Sequence, residues 1–230
     1  DNISADYLNR MEQELNRINK TIGGLLGFSR LQKAETTKVD MKRVIENSLS
    51  LVTHQKKFQT IELLSRAEEG LWPVEGDEHQ FQQVLLNLLL NAGDAVGDNG
   101  TILVLADRMV WQEGMLRSFA GPLKRDFSPL VPHFGLADKE VHLDEEHFSE
   151  NQPVVRILVA DNGEGIEAKH LNKIFDPFFT TREPGEGTGL GLAICTRIIE
   201  SFGGSITVRS QTGKGSAFLL TLPAKRNSHD

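Results

Sequence analysis

The pattern of apolar and polar positions separates a long amphipathic N-terminal segment from a mixed region of helices and strands. Within residues 3–34, apolar side chains recur at spacings of three and four, at Leu8, Met11, Leu15, Ile18, Ile22 and Leu25. This stripe is typical of a coiled coil or a helical bundle. One helix cannot bury the stripe alone, and the rest of the sequence has no second long heptad run, so we predict a homodimer through residues 3–34. The alternative is a helix that packs against its own globular domain.

After a polar hinge predicted at residues 35–40, helical and strand-like patterns alternate. Residues 39–59 predict a helix, and residues 61–67 predict a strand. The apolar positions on one side of that helix are Val44, Ile45, Leu49 and Val52. Asp77 and Gln80 have the spacing of an N-cap with a reciprocal cap, and they open a leucine-rich helix that ends at residue 96. A strand is predicted at residues 101–107.

Two glycine turns follow later in the chain. The sequence DNGEG at residues 161–165 comes after an apolar run, and GTGLG at residues 187–191 precedes a helix that stops at residues 203–204. Two strands around residues 213–215 complete the pattern. Glycines separated by single residues permit sharp turns and a close approach to a ligand, and a helix N-terminus favours an anion such as phosphate. The alternative is a pair of ordinary loops.

Two carboxamides stand out in the leucine-rich helix. Asn87 and Asn91 are four residues apart and therefore share one helix face. Buried amides need a partner, and a Mg²⁺ ion held jointly with a phosphate would provide one. A pair of asparagines bonded to loop backbone explains the pattern equally well.

The sequence between residues 107 and 153 loses clear periodicity. A connection of this length is uncommon within a compact domain, so we predict an insertion, either with a binding role or as a mobile excursion. His142 and His147 lie in the acidic tract at residues 138–150. We interpret that tract as a solvated acidic face rather than a metal site.

The composition limits the possible functions. The 230 residues are 39% hydrophobic and 25% charged, which is ordinary for a soluble globular protein. The net charge of −7 argues against nucleic acid as a partner. The single cysteine, Cys195, excludes an intrachain disulfide, and we expect a buried structural thiol in a reducing compartment. No membrane segment or signal peptide is recognisable, so we expect a cytoplasmic chain; whether the intact protein is membrane-anchored stays open.

Five motifs occur in order between residues 87 and 216. They are NLLLNA at residues 87–92, DNGEG at 161–165, FDPFF at 175–179, GTGLGL at 187–192 and GKGS at 213–216. They resemble the N box, the first glycine box, the F box and the last two glycine boxes of the catalytic ATP-binding domain of sensor histidine kinases. Residues 7–30 resemble the second helix of the dimerisation and phosphotransfer hairpin of that family.

The resemblance implies a fold and a division of the chain. The fold is a two-layer α/β sandwich, in which helices cover one side of a mixed sheet, as in the gyrase, chaperone, histidine-kinase and mismatch-repair ATPases. Residues 1–36 would form part of a long dimerisation helix. Residues 37–226 would form the ATP-binding domain, with its insertion at about residues 107–153. The G-x-x-x-x-G-K-[ST] pattern of a P-loop is absent.

The same resemblance implies that ATP and Mg²⁺ are bound by named residues. Asp161 would accept a hydrogen bond from the adenine amino group, with Gly163 and Gly165 beneath the base. Asn91 would supply an oxygen to Mg²⁺. Asn87 stands where related ATPases often carry a carboxylate that activates water. An amide is a poor base, which suits transfer to histidine rather than hydrolysis.

The remaining expected ligands surround the phosphates and the base. Glycines 187, 189 and 191 would wrap the phosphates, with backbone from their neighbours, and a lid cation would add positive charge. These residues are Gly187, Thr188, Gly189, Leu190 and Gly191, with Arg182 or Lys173 as the cation. Ser216 would lie near the adenine pocket, and further contacts are expected from Ile166, Phe175, Thr181 and Leu192. Asp94 is acidic where many relatives are basic, so its role stays open.

The expected activity is that of a protein histidine kinase, with a phosphoacceptor hairpin and a response-regulator receiver domain as partners. The family's acceptor histidine is followed by an acidic residue and a proline. None of His54, His79, His133, His142, His147, His170 and His229 has that context. We expect an acceptor in a preceding segment of a longer protein, so that this chain alone does not autophosphorylate. The alternatives are a protein that acts on a histidine elsewhere and a non-catalytic nucleotide-sensing module; a gyrase-type ATPase is disfavoured by the GTGLGLAI sequence.

Overall fold

The structure, a computed structural model, describes residues 7, 11, 36–112, 140–142, 148–183 and 187–226. The helices are α1 (Met41–Thr53), α2 (Glu78–Val96) and α3 (Gly191–Ser201), with a 3₁₀ turn at Lys56–Phe58. The strands are β1 (Thr37–Val39), β2 (Glu62–Ala67), β3 (Val74–Gly76), β4 (Thr101–Val110), β5 (Glu140–His142), β6 (Pro153–Asp161), β7 (Ser205–Gln211) and β8 (Gly215–Pro223). Of the predicted dimerisation helix, Tyr7 and Met11 are helical, and the other residues lie outside the described ranges.

The main sheet is mixed and has six strands in the order β2-β4-β6-β8-β7-β5. The pairing of β2 with β4 is parallel, and the other neighbouring pairs are antiparallel. The three helices pack against one face of this sheet, which confirms the two-layer α/β sandwich. None of the helices in the described ranges is both long and apolar enough to cross a bilayer.

The predicted hinge at residues 35–40 is partly wrong, because Thr37–Val39 forms a strand. It pairs antiparallel with β3, so that Val39 lies opposite Val74, and both side chains are buried. Asp40 then caps α1, with its Oδ1 atom 3.0 Å from the N–H of Lys42. The helix therefore begins at Met41 rather than at residue 39. A three-residue strand is too short to show a periodic signal. Its pairing partner lies far along the sequence, so the pairing is not visible from local sequence either.

The predicted N-cap of α2 is confirmed, and its reciprocal half is wrong. Asp77 Oδ1 accepts hydrogen bonds from the N–H groups of His79 and Gln80, at 2.8 and 3.1 Å. The reciprocal cap needs the side chain of Gln80 to reach back to the backbone of Asp77. Instead, the Oε1 atom of Gln80 is buried, with no hydrogen-bond partner in the described part of the chain.

The larger core lies between the helices and the sheet. The three helices contribute apolar residues such as Val44, Leu88 and Ile198, and the central strands contribute Val104 and Ile157. Burying a side chain of this size stabilises the fold by about 1.5–3 kcal/mol. Cys195 is fully buried in this cluster, as the sequence predicts, and burial raises the pKa of its thiol to about 12.

The opposite face of the sheet has a second apolar cluster, and it surrounds a buried ion pair. The cluster consists of Leu103, Leu105, Met109, Trp111, Phe148, Val154, Leu158, Ala160, Ala217 and Leu219. Asp107 on β4 lies opposite Arg156 on β6. The guanidinium binds the carboxylate through two parallel bonds, Nε–Oδ1 at 2.9 Å and Nη2–Oδ2 at 2.5 Å. The two side chains are only 6% and 3% exposed.

The predicted insertion begins later than residue 107. Strand β4 continues to Val110, because Asp107 and the residues after it pair with β6. Residues Glu140–His142 form a strand that pairs with β7 at the edge of the sheet. Residues 113–139 and 143–147 of the insertion, including His147, lie outside the described residues, as does the side chain of His142.

The buried ion pair generates a stability prediction. Replacing Arg156 by Met leaves the carboxylate of Asp107 buried and unpaired, so we expect the free energy of unfolding to fall by roughly 3–5 kcal/mol. Replacing both partners, as Arg156→Met with Asp107→Leu, should recover most of that loss. Urea unfolding of each variant measures the effect.

The exposed pair between Lys225 and Glu75 provides the matched control. Glu75→Gln should change the free energy of unfolding by less than about 1 kcal/mol. An Arg156→Met variant no less stable than this control would contradict the prediction.

Candidate nucleotide-binding site

The carboxylate of Asp161 lies at the end of β6 and is only 3% exposed. Its Oδ1 atom accepts two backbone hydrogen bonds, from Gly163 N at 2.9 Å and from Ser216 N at 3.3 Å. Its Oδ2 atom has no hydrogen-bond partner among the described residues. Burial raises the pKa of Asp161 to about 6, although the two backbone hydrogen bonds lower it in part. The Oδ2 atom of this carboxylate, whose charge is costly to bury, is therefore available to a hydrogen-bond donor on a ligand.

The first glycine turn is docked tightly against other backbone segments. A Cβ atom on Gly163 would overlap the carbonyl of Ala95 at the end of α2, and the N–H of Glu164 donates to that carbonyl at 3.0 Å. Gly165 has a φ of +70°, and a Cβ there would overlap the carbonyl of Gln211. Both glycines therefore serve the packing of the turn, and their expected place beneath a base stays a prediction.

Ser210 organises this end of the site, and the sequence analysis missed it. Its hydroxyl accepts the N–H of Ile166 at 2.7 Å and lies 2.9 Å from the hydroxyl of Ser216. It also donates to the carbonyl of Gly215 at 2.9 Å. The only sequence signal is that Ser210 and Ser216 flank the predicted hairpin turn. The hydroxyl of Ser210 thus ties the residues after the first glycine turn to the β7–β8 hairpin.

Asn87 and Asn91 lie on the side of α2 that faces the second glycine turn. Both are half-buried rather than enclosed in the core, which corrects the expectation of a buried face. The Nδ2 atom of Asn87 lies 3.3 Å from the carbonyl of Gly191 and 3.7 Å from the sulfur of Cys195. The alternative of an amide bonded to backbone therefore fits Asn87. Asn91 differs, because its Oδ1 atom accepts from Arg182 Nη2 at 3.4 Å.

The second glycine turn contacts the FDPFF motif directly. Gly189 has a φ of +64°, and a Cβ there would overlap the backbone of Phe178 and Phe179. The N–H of Phe178 donates to the carbonyl of Gly189 at 2.9 Å. Leu190, just before α3, is buried, and its N–H lies 3.4 Å from Thr188 Oγ1. The turn is thereby fixed to both the loop before it and the helix after it.

The other predicted ligands fall into three groups. Gly187, Thr188 and Gly191 are half-buried at the start of α3. Ile166, Phe175 and Leu192 are half-buried and pack against the larger core. Thr181 and Lys173 are exposed.

Three charged side chains meet near Asn91. The Oδ1 atom of Asp94 lies 2.5 Å from Lys57 Nζ, and its Oδ2 atom lies 2.7 Å from Arg182 Nη1. Of the two predicted cations, Arg182 is therefore the one that the structure places beside the asparagines. Lys57 was not identified from the sequence, because it lies in a separate 3₁₀ turn.

The oxygen atoms at this end of the site suit a cation shared with a ligand. Among the described residues, no group of three or more His, Cys, Asp or Glu side chains is arranged to hold a metal ion. Mg²⁺ takes few protein ligands when phosphate oxygens complete its coordination. The half-buried carbonyl oxygen of Asn91 fits that requirement.

A comparison with protein families identifies the C-terminal half of the chain. Residues 129–226 match the family described as "Histidine kinase-, DNA gyrase B-, and HSP90-like ATPase". The matched residues include Asp161 and both glycine turns. They do not include Asn87 and Asn91, so the roles of these two residues stay predictions.

Two curated relatives are histidine kinases by name. The chain is 34% identical over 220 residues to the sensor histidine kinase ZraS of Escherichia coli strain K12. It is 33% identical over 223 residues to the signal transduction histidine-protein kinase AtoS of the same strain. These matches cover 96% and 97% of this chain, and 38% and 30% of the relatives. The chain thus spans well under half the length of either protein.

The solved structures agree with this assignment. The catalytic domain of histidine kinase ThkA matches with 27% identity and a TM-score of 0.57, over 83% of this chain and 96% of that domain. The structure of ThkA in complex with response regulator protein TrrA matches with a TM-score of 0.63 at 24% identity, over 95% of this chain and 51% of the ThkA chain, and supports the fold alone. Residues 129–226 therefore belong to the histidine kinase-, DNA gyrase B-, and HSP90-like ATPase family, and the chain has the fold of a histidine kinase catalytic domain.

Proposed function

We propose that this chain binds ATP with Mg²⁺ and transfers the γ-phosphoryl group to a histidine on a separate segment. The observation that carries the proposal is the carboxylate of Asp161, whose Oδ1 atom is occupied by two N–H groups while Oδ2 has no described partner. An ionised acceptor at this depth matches the amino group of adenine. Such a bond to a charged group contributes about 1.5–3 kcal/mol.

The phosphates would extend from that pocket toward α2 and α3. Unpaired N–H groups at the start of α3 would favour their negative charge. Asn91 would hold Mg²⁺ through its amide oxygen, and the ion would neutralise charge on the phosphates during transfer. The Nδ2 atom of Asn87 donates a hydrogen bond to the carbonyl of Gly191. An amide is a poor base, so Asn87 would not activate water, which favours transfer over hydrolysis.

The partners and the division of the chain are part of the proposal. The acceptor would be a histidine of a phosphotransfer hairpin, and the phosphoryl group would pass on to a response-regulator receiver domain. One structural neighbour, histidine kinase ThkA, has been solved in complex with response regulator protein TrrA. We propose that residues 1–36 belong to the dimerisation helix, and that residues 37–226 form the ATP-binding domain around the insertion. A cytoplasmic location would supply ATP and keep Cys195 reduced.

Transfer to a supplied hairpin tests the proposal. We expect the chain to bind ATP in the presence of Mg²⁺ and to label a histidine on a separately prepared hairpin of the intact protein when γ-labelled ATP is added. Acid lability of the label and its loss when the hairpin histidine is replaced identify phosphohistidine. Tight ATP binding without transfer would favour the nucleotide-sensing module instead. That alternative is compatible with the sequence, because none of the seven histidines has the context of a phosphoacceptor. No binding at all would overturn both functions.

The variant Asp161→Asn should separate binding from stability. We expect it to weaken ATP binding about 10- to 100-fold, because the acceptor that faces adenine becomes partly a donor. The same change should raise the free energy of unfolding at neutral pH by up to roughly 3 kcal/mol, since the cost of a buried charge is removed. Calorimetry and urea unfolding measure the two effects.

Glu164→Gln, at an exposed neighbour, is the control. If Asp161→Asn lost stability together with ATP binding, the role of Asp161 would be structural alone.

The raised pKa of Asp161 predicts a pH dependence. Adenosine avoids the titration of phosphates, and its affinity should fall as the pH falls through about 6, where Asp161 takes up a proton. For stability the sign is opposite: a raised pKa in the folded protein contributes stability at acid pH that is lost as the pH rises from about 4 through 6. Titrations of adenosine between pH 5 and 8 check the first effect. In Asp161→Asn, the affinity should not vary with pH across this range.

A further inference from the structure

The carboxylate of Asp94 holds two cations from different parts of the chain. Lys57 approaches one oxygen at 2.5 Å from the 3₁₀ turn after α1, and Arg182 approaches the other at 2.7 Å from the loop after the FDPFF motif. Lys57 is also held by the carbonyl of Leu90, at 3.3 Å. Arg182 reaches Asn91, at 3.4 Å. Asp94 therefore lies one helical turn from the expected Mg²⁺ ligand, with a different neighbour on each side.

The negative charge of Asp94 is unfavourable for binding a ligand that carries several negative charges. A phosphate chain beside Asn91 would face this carboxylate at short range, and like charges repel. The two cations compensate, because Lys57 and Arg182 together carry one more positive charge than Asp94 carries negative. Lys57 neutralises Asp94, and the charge of Arg182 is left for the ligand.

The pairs are exposed enough to exchange. The side chains of Asp94, Arg182 and Lys57 are 37%, 36% and 35% exposed. Pairs with this exposure shift an equilibrium by about five-fold or less. A phosphate carries more charge than a carboxylate and offers more acceptor oxygens to the planar fork of guanidinium donors, so it is the stronger partner for Arg182.

We propose that Asp94 is a counter-ion that competes with the nucleotide phosphates for Arg182. When the site is empty, Asp94 holds Arg182 beside Asn91. When a nucleotide binds, Arg182 transfers to the phosphates, and Lys57 remains on Asp94 and cancels its charge. Asp94 and Lys57 are thus positioning residues that set the affinity for phosphates and leave the affinity for the base unchanged. This inference rests on the proposed binding of Mg-ATP.

The test compares ATP with adenosine in the full chain, by calorimetry at constant pH and salt. Asp94→Asn removes the competitor, and we expect ATP to bind roughly two- to five-fold more tightly. Lys57→Gln exposes the phosphates to an uncompensated carboxylate and leaves Arg182 as the only cation on Asp94, so ATP should bind more weakly by a similar factor. The double variant should regain the affinity of Asp94→Asn, because Lys57 acts only through Asp94. Adenosine affinity should be the same in all of these proteins.

Two comparisons separate the possible failures. Lys225→Gln removes an exposed pair with Glu75 and should leave ATP affinity unchanged. Raising the salt concentration should reduce the differences between variants, since exposed charges are screened. If the unmodified chain does not bind ATP, the proposed function fails. If it binds ATP but Asp94→Asn weakens binding, or if adenosine affinity shifts in parallel with that of ATP, the competition by Asp94 is overturned and the proposed function stands.

Discussion

A carboxylate buried at the end of a central strand is the constraint on which this site depends. Asp161 is almost fully buried, and two backbone N–H groups offset only part of the cost of its charge. Those donors come from the glycine turn that follows β6 and from the start of β8. Their positions depend on the close backbone contacts that glycine permits at residues 163 and 165. The sequence around Asp161 is thus determined by the need to keep one charged oxygen both buried and available.

Helix α2 connects this pocket to the charged end of the site. Its leucines anchor it in the larger core, and its last turn meets the first glycine turn through Ala95. Among its polar residues, Asn87 contacts the first turns of α3, and Asn91 and Asp94 contact Arg182 in the loop before α3. One rigid helix therefore fixes the distance between the two ends of the site. That arrangement explains why its apolar stripe and its polar positions occur within the same few turns.

The sequence predicts those features whose cause is local. Apolar periodicity locates α1, α2, α3 and most strands, and Asp77 identifies the start of α2 because an N-cap depends on neighbouring residues. The spacing of the glycines and of the two asparagines indicates the candidate site. Features that depend on distant pairing are missed. Strand β1 exists only against β3, and Arg156 appears as one polar residue in an apolar run until Asp107 is placed beside it. The roles of Ser210 and Lys57 are likewise missed, because their partners lie across a hairpin or far away in the chain.

The single thiol of the chain is enclosed where α3 packs on α2. Cys195 is fully buried, and its sulfur lies 3.8 Å from the carbonyl of Val84 and 3.7 Å from the amide of Asn87. A thiol with a pKa near 12 is almost entirely un-ionised at neutral pH and hence unreactive toward alkylating reagents. Modification must wait until the helix separates from its neighbours. The rate of alkylation of this sulfur atom therefore reports how readily α3, the helix that follows the second glycine turn, opens locally.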